Sequence, residues 1–424
     1  IWTQDSPGVS AGIGAEAGDE FGSRLTAGDF NGDGYADLAI GAPNEDVSGS
    51  DAINGGAVNI LYGSASGLTA TGSEIWTQDS PGVNTGAGAE TNDYFGKALT
   101  AGDFNNDGYV DLAIGAPGED VFDINAAGVV NVLYGSASGL TAVGDQIWHQ
   151  NSGQVQASPV LNVAAEAGDN FGASLTTGDF DGDGYDDLAI GSPGESVGTT
   201  ENAGAAVVLY GSANRLTANG HQVWHQDSAG IADSAEPYDL FSTSLTAGDY
   251  NNDGLDDLAI GVPGEGIGYL DDAGAVNVIY GSVGNLNATG NQFWSQNSAG
   301  IEDSAEFGDE FGASLASGDF DGDGIDDLAV GVPQEEIVPS VFNSGAVNII
   351  RGSNASLTSV SDRLISQNTL NATGNPAEAH DRFASSLAAG DFNGDGHSDL
   401  AVGVPNEDID GLSDVGEIDV FYDV

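Results

Sequence analysis

The sequence contains no cysteine, which removes disulfides, zinc thiolates and cysteine nucleophiles from consideration. Basic residues are nearly as scarce: six Lys+Arg stand against 66 Asp+Glu, a formal net charge of −60 over 424 residues. Nucleic acids and anionic membranes both need clustered Lys/Arg, so this balance argues against either as a partner. No run of 18 apolar residues is present, so no membrane-spanning helix is expected, and no helical period of useful length is visible. No signal-like segment precedes Ile1, which reads as a mature product or an excised domain. What the chain does have is 40% hydrophobic residues, enough for a large core, and 66 glycines, about twice the usual share.

An internal repeat dominates. AGDFNGDGYADLAIGAP (27–43) recurs with small changes, its first Asp falling at Asp29, Asp103, Asp179, Asp249, Asp319 and Asp391. Each copy holds four short strand-like pieces. One starts at Phe21 and its equivalents Phe95, Phe171, Phe241, Phe311 and Phe383. A short apolar run such as Leu38–Ile40 follows, ending in Gly-Ala-Pro, then a piece such as Gly56–Ser64, then one such as Glu74–Gln78. Short apolar runs bounded by turn residues read as buried strands.

The chain opens on a fourth-strand sequence, Ile1–Gln4, and stops on a third-strand one, Gly416–Val424. This phase shift predicts circular closure, with the amino-terminal strand completing the last blade and leaving no open edge. The expected fold is all-β: a six-bladed β-propeller of four antiparallel strands per blade. It is read as a single domain over 1–424, with blades at approximately 21–78, 95–150, 171–226, 241–296, 311–367 and 383–424 plus 1–4. A seven-bladed ring is the alternative.

Between the first two strands of each blade lies an acidic loop. In the first copy Asp29, Asn31, Asp33 and Asp37 stand at positions 1, 3, 5 and 9, with Gly34 at 6 and Tyr35 at 7. This spacing wraps a chain around one hard cation: alternate side chains turn inward, the position-7 carbonyl adds a ligand, and glycine permits the sharp turn. The other copies are Asp103, Asn105, Asp107, Tyr109 and Asp111; Asp179, Asp181, Asp183, Tyr185 and Asp187; Asp249, Asn251, Asp253, Leu255 and Asp257; Asp319, Asp321, Asp323, Ile325 and Asp327; and Asp391, Asn393, Asp395, His397 and Asp399. An all-oxygen set suits calcium, about one ion per blade. An EF-hand would need Glu at position 12, where Ile40 and its equivalents stand. The loops are therefore expected to be β-hairpin calcium loops.

Phe21-Gly22 and Gly41-Ala42-Pro43, bracketing such a loop, resemble the FG-GAP repeat, which builds the amino-terminal β-propeller of integrin α subunits and many secreted bacterial proteins. The similarity covers essentially the whole chain. It implies calcium loops on one face and partner binding on the opposite face. Departures are Ser242 and Ala384 in place of the Phe-Gly glycine, and Ser or Val in place of Ala in four Gly-Ala-Pro copies.

Two acidic series occupy the face opposite the calcium loops: Glu45, Glu119, Glu195, Glu265, Glu335 and Glu407, and the pairs beginning at Glu16/Asp19. Blade-to-blade hydrogen bonding is preferred for them over a partner-binding ring, because every blade repeats them. Trp2, Trp76, Trp148, Trp224 and Trp294 share one strand-four position with Ile365, which favours packing over sugar stacking. Gly8–Gly12 matches a nucleophile-elbow string without its strand–turn–helix setting. The least repetitive loop, Ser152–Ala164, is the first candidate for partner contact. Together these features read as an extracellular or cell-surface calcium-binding module for adhesion or recognition. It is expected not to be an enzyme and to bind an extracellular protein or glycan, alone or within a larger surface protein. The alternatives are a passive spacer and a propeller-fold enzyme acting on polysaccharide.

Overall fold

The computed structural model describes residues 1–9, 14–47, 52–83, 88–152, 164–337, 341–369, 376–409, 411–422 and 424. The chain divides into two compact units, 1–177 with 184–224, and 178–183 with 225–424. Every regular element among the described residues is a β-strand, and the strands form six antiparallel sheets in simple meander order. These are six β-propeller blades.

The first unit holds Arg24–Gly28, Asp37–Ala42, Ala57–Tyr62 and Thr69–Trp76; then Ala98–Gly102, Asp111–Ala116, Val129–Tyr134 and Thr141–Trp148; then, apart from Gly178, Ser174–Gly178, Asp187–Ser192, Ala205–Tyr210 and Thr217–Trp224. The second holds Leu245–Gly248, Asp257–Val262, Ala275–Tyr280 and Asn287–Trp294; then Ser314–Gly318, Asp327–Val332, Ala346–Arg351 and Thr358–Ile365; then Ser386–Gly390, Asp399–Val404 and Glu417–Phe421.

The second and third strands are the apolar runs, and in the second blade both are buried along their whole length. Continuous apolar sequence is what a strand covered on both faces requires. The register sets Leu38 opposite Leu61 and Ile40 opposite Asn59. Core clusters run from blade to blade, joining Phe30, Val58 and Ile60 of the first to Phe95, Leu112 and Ile114 of the second. A comparable cluster in the second unit joins Val276 and Trp294 to Phe311 and Leu328.

The two halves of the repeat motif meet at these junctions. The Phe95 N–H donates to the Gly55 carbonyl at 3.1 Å. A β-carbon on Gly41 would lie 2.4 Å from the Gly96 carbonyl oxygen, and one on Gly56 would lie 2.3 Å from that of Phe95. Glycine is required at both by close backbone approach, and at Gly56 also by its φ of +85°. Trp148, Trp224 and Trp294 are buried in their blades, each beside a third-strand partner such as Val130 opposite Trp148.

One expectation is not met. The sixth sheet has three strands among the described residues, and Ile1–Gln4 forms none. The fourth strands of the other blades are eight-residue segments ending at the Trp or Ile position. Ile1–Trp2 matches only the last two residues of such a strand, too little to sustain a ladder.

Candidate metal-binding loops

Each acidic loop is a tight turn organised by its own carboxylates. In the first blade the Asp33 N–H donates to Asp29 Oδ1 at 3.0 Å, the Gly34 N–H to Asp29 Oδ2 at 2.8 Å, and the Tyr35 N–H to Asp33 Oδ1 at 3.0 Å. The same three bonds recur around Asp103, Asp249, Asp319 and Asp391. Around Asp179, the N–H groups of Gly182 and Asp183 converge on Oδ1. Backbone donors thus hold positions 1 and 5 at the turn. Gly34 takes φ +88° at position 6, in the left-handed region.

Position 9 has a second task that spacing alone does not disclose. Asp111 is fully buried. Its Oδ2 accepts the Phe104 N–H at 3.1 Å and its Oδ1 the Gly135 N–H at 2.8 Å, tying the loop to the end of the third strand. Asp37, Asp257 and Asp327 make the same pair of bonds. Burial, opposed by these N–H groups and reinforced by neighbouring loop carboxylates, pushes Asp111 and Asp257 up to about 8. Low-polarity surroundings disfavour the charged form.

The residues fit a hard cation. Carboxylate oxygens of Asp319, Asp321 and Asp327 lie within 4.8 Å of one another. In the second blade Asn105 sits beside Asp111, its amide nitrogen 3.5 Å from Oδ2, while its buried Oδ1 has no partner. A buried acceptor left alone among carboxylates is what an oxygen-coordinated metal would satisfy. The side chains at positions 1, 3, 5 and 9 would hold it, with the position-7 carbonyl. The position-7 side chains do something else: Tyr109 lies against Gly32 of the preceding loop, and His397 against Gly322.

Neighbouring loops are also joined through position 8. The carboxylate of Asp186 accepts the Asp103 N–H at 2.7 Å, that of Asp256 the Asp179 N–H at 2.9 Å, and that of Asp326 the Asp249 N–H at 3.1 Å. In return the N–H at position 8 reaches the carbonyl of the same preceding Asp, as from Asp326 to Asp249 at 3.3 Å. The doubled Asp of GYDDL, GLDDL and GIDDL was the available signal.

The Glu series on the other loops is buried and paired. Gln78 Nε2 donates to Glu119 Oε2 at 2.7 Å, and Gln226, Gln296 and Gln367 do the same to Glu265, Glu335 and Glu407 at 2.5–2.6 Å. Gln4 reaches Glu45 at 2.5 Å, so the first segment keeps this fourth-strand contact without forming a strand. The series therefore bonds blade to blade. Asp93 and its equivalents Asp169 and Asp309 are buried beside it, accepting N–H bonds from Glu90, Glu166 and Glu306. Burial and the adjoining Asp93 carboxylate push Glu119 up to about 9; burial and Asp309 push Glu335 up to about 8. Most of the candidate loop 152–164 and part of the Gly8–Gly12 string lie outside the described residues. No helix among the described residues is long and apolar enough to cross a membrane.

Comparison with known proteins agrees with the repeat. Part of the chain is 32% identical to bovine (Bos taurus) phosphatidylinositol-glycan-specific phospholipase D over 193 residues, 45% of this chain and 21% of that protein. It is 29% identical to Xenopus laevis integrin alpha-5 over 244 residues, 56% of this chain and 20% of that one. The chain thus spans about a fifth of the length of these relatives. The rhamnogalacturonan lyase YesW superposes with a TM-score of 0.39 at 12% identity, over 94% of this chain and 71% of the lyase, a likeness that supports no assignment. The family model described as FG-GAP repeat matches residues 21–58, 95–133, 171–209, 241–279, 311–347 and 383–421, more than half of the sequence. With six matched repeats, each carrying its acidic hairpin, the chain belongs to the FG-GAP repeat family, as an integrin-like propeller.

Proposed function

We propose that this chain is a calcium-stabilised recognition module of an extracellular or surface protein, with no catalysis of its own. The carrying observation is the repeated hairpin that gathers three or four carboxylates with a buried, unpartnered Asn105 Oδ1 in its second copy. About one calcium per blade offsets the mutual repulsion of these carboxylates. At calcium ten-fold above the dissociation constant, each ion adds about 1.4 kcal/mol of stability. Ions of this kind in extracellular modules bind with constants near the millimolar level. Six divalent ions would leave most of the −60 charge in place, which suits a salt-rich setting that screens self-repulsion.

The partner, an extracellular protein or glycan, meets the loops at the opposite ends of the strands. Those loops expose large apolar side chains: Phe122 is 76% exposed, Tyr269 fully exposed and Phe307 70%. Exposed aromatics on loops over a rigid scaffold are typical binding anchors. The test pairs thermal denaturation with a binding screen against glycans and extracellular proteins, in millimolar calcium and in chelator. Calcium-dependent stabilisation with calcium-dependent hits supports the reading. A calcium-stabilised protein that binds nothing would reduce it to a spacer, and turnover of a polysaccharide would replace it with an enzyme.

A further inference from the structure

Calcium loading is not uniform across the blades if the calcium reading above is right. The third strands of the first four blades end in Tyr62, Tyr134, Tyr210 and Tyr280, and that of the fifth ends in Arg351. The tyrosines at 134 and 210 turn their hydroxyls to Gln146 and Gln222 on the fourth strand, each at 2.5 Å. Arg351 turns the other way, into its own acidic loop. Its Nη1 lies 2.8 Å from Asp327 Oδ2, the position-9 carboxylate, and its Nε 4.0 Å from Asp321 Oδ2, the position-3 carboxylate. Nη2 is anchored on the Val424 carbonyl at 2.9 Å. The arginine side chain is only 10% exposed, so the pair is poorly screened.

We infer that Arg351 supplies an internal positive charge to the fifth loop and makes it the weakest calcium site of the six. Asp319, Asp321 and Asp327 are gathered as a cation would need, but two of the three already face a guanidinium. A metal there must displace that contact or share those oxygens with it. The third loop carries the same extra acid, Asp181, with Tyr210 and no arginine at the matching place, so the added carboxylate does not by itself call for one. With Arg351 the four carboxylates of the fifth loop sum to −3, the charge of the Asn-containing loops, so the weakening comes from the ligand oxygens that the guanidinium engages and from the rigidity of that contact, not from charge count.

The experiment is a calcium titration of the folded whole chain by calorimetry, with bound metal counted by equilibrium dialysis. The expected wild-type isotherm has a tight class and one site at least ten-fold weaker. Arg351→Tyr, which restores the residue of the other blades, should move that site into the tight class. If circular dichroism shows that variant misfolded, Arg351→Gln takes its place with the same expectation. Six equivalent sites in wild type, or a weak site unmoved by the substitution, would overturn the inference. Calcium uptake by no loop would remove the calcium reading along with it, whereas six equal sites remove only the role of Arg351.

Discussion

The side-chain carboxylate of Asp186 accepts the backbone N–H of Asp103 at 2.7 Å, although the two residues stand 83 positions apart. Asp103 opens one acidic loop, and Asp186 is the eighth residue of the next. Each loop with Asp at position 8 therefore steadies the first ligand position of its predecessor. Asp186→Ala should cost about 1–2 kcal/mol, the loss of a charge-assisted bond with its donor still in place. Asp186→Asn keeps an acceptor and should cost clearly less. Equilibrium denaturation of both variants decides it, and equal losses would show that the contact contributes little.

Positions 5 and 9 of one loop should separate metal binding from folding. Asp107 is exposed at the turn, whereas Asp111 is buried and accepts two backbone N–H groups. In chelator, Asp107→Ala should leave the melting temperature close to wild type, while its calcium-induced rise shrinks. Asp111→Ala should lose on the order of 2–4 kcal/mol even in chelator, because both N–H donors are left buried without an acceptor. Differential scanning calorimetry with and without calcium reads both.

Stability in chelator should fall as pH rises from 6 to 9.5. Burial and the neighbouring Asp carboxylates push Glu119 and Glu195 up to about 9 and Glu265 and Glu335 up to about 8. Their ordinary value is near 4.3. The native state thus holds protons that the unfolded chain has released, so the contribution is present at low pH and is lost as pH climbs through about 8 to 9. Melting curves across this range test the sign. A Glu119→Gln, Glu335→Gln double variant should flatten the profile, and an unchanged slope would place the dependence elsewhere.

Ala384 stands where four of the other five blades have the glycine of Phe-Gly, with φ +71° against +90° for Gly96. A non-glycine residue in the left-handed region costs about 1–2 kcal/mol, partly offset by the larger unfolded-state entropy of glycine. Ala384→Gly should therefore stabilise the protein by about 0.5–1 kcal/mol in urea denaturation. Destabilisation would mean that the methyl packing in its buried site outweighs the strain.

Much of this molecule was legible in one dimension. The repeat, the meander order and the six acidic hairpins follow from local spacing, because a tight turn and its two strands are neighbours in sequence. The preference for blade-to-blade bonding of the Glu45 series followed from its recurrence in every blade, and the bonds to Gln4 and Gln78 bear it out. Tertiary structure alone decided which way long side chains turn. Nothing in GAVNIIRGS says that Arg351 enters the loop while Tyr134 leaves it, and the doubled Asp at Asp186 marks an extra acid without saying that its partner lies a blade away. It also decided the chain ends, where the phase of the repeat predicted a closing strand and the hydrogen bonds form none over Ile1–Gln4. Spacing determines which residues share a turn, whereas packing between blades determines which charges are buried and what they face.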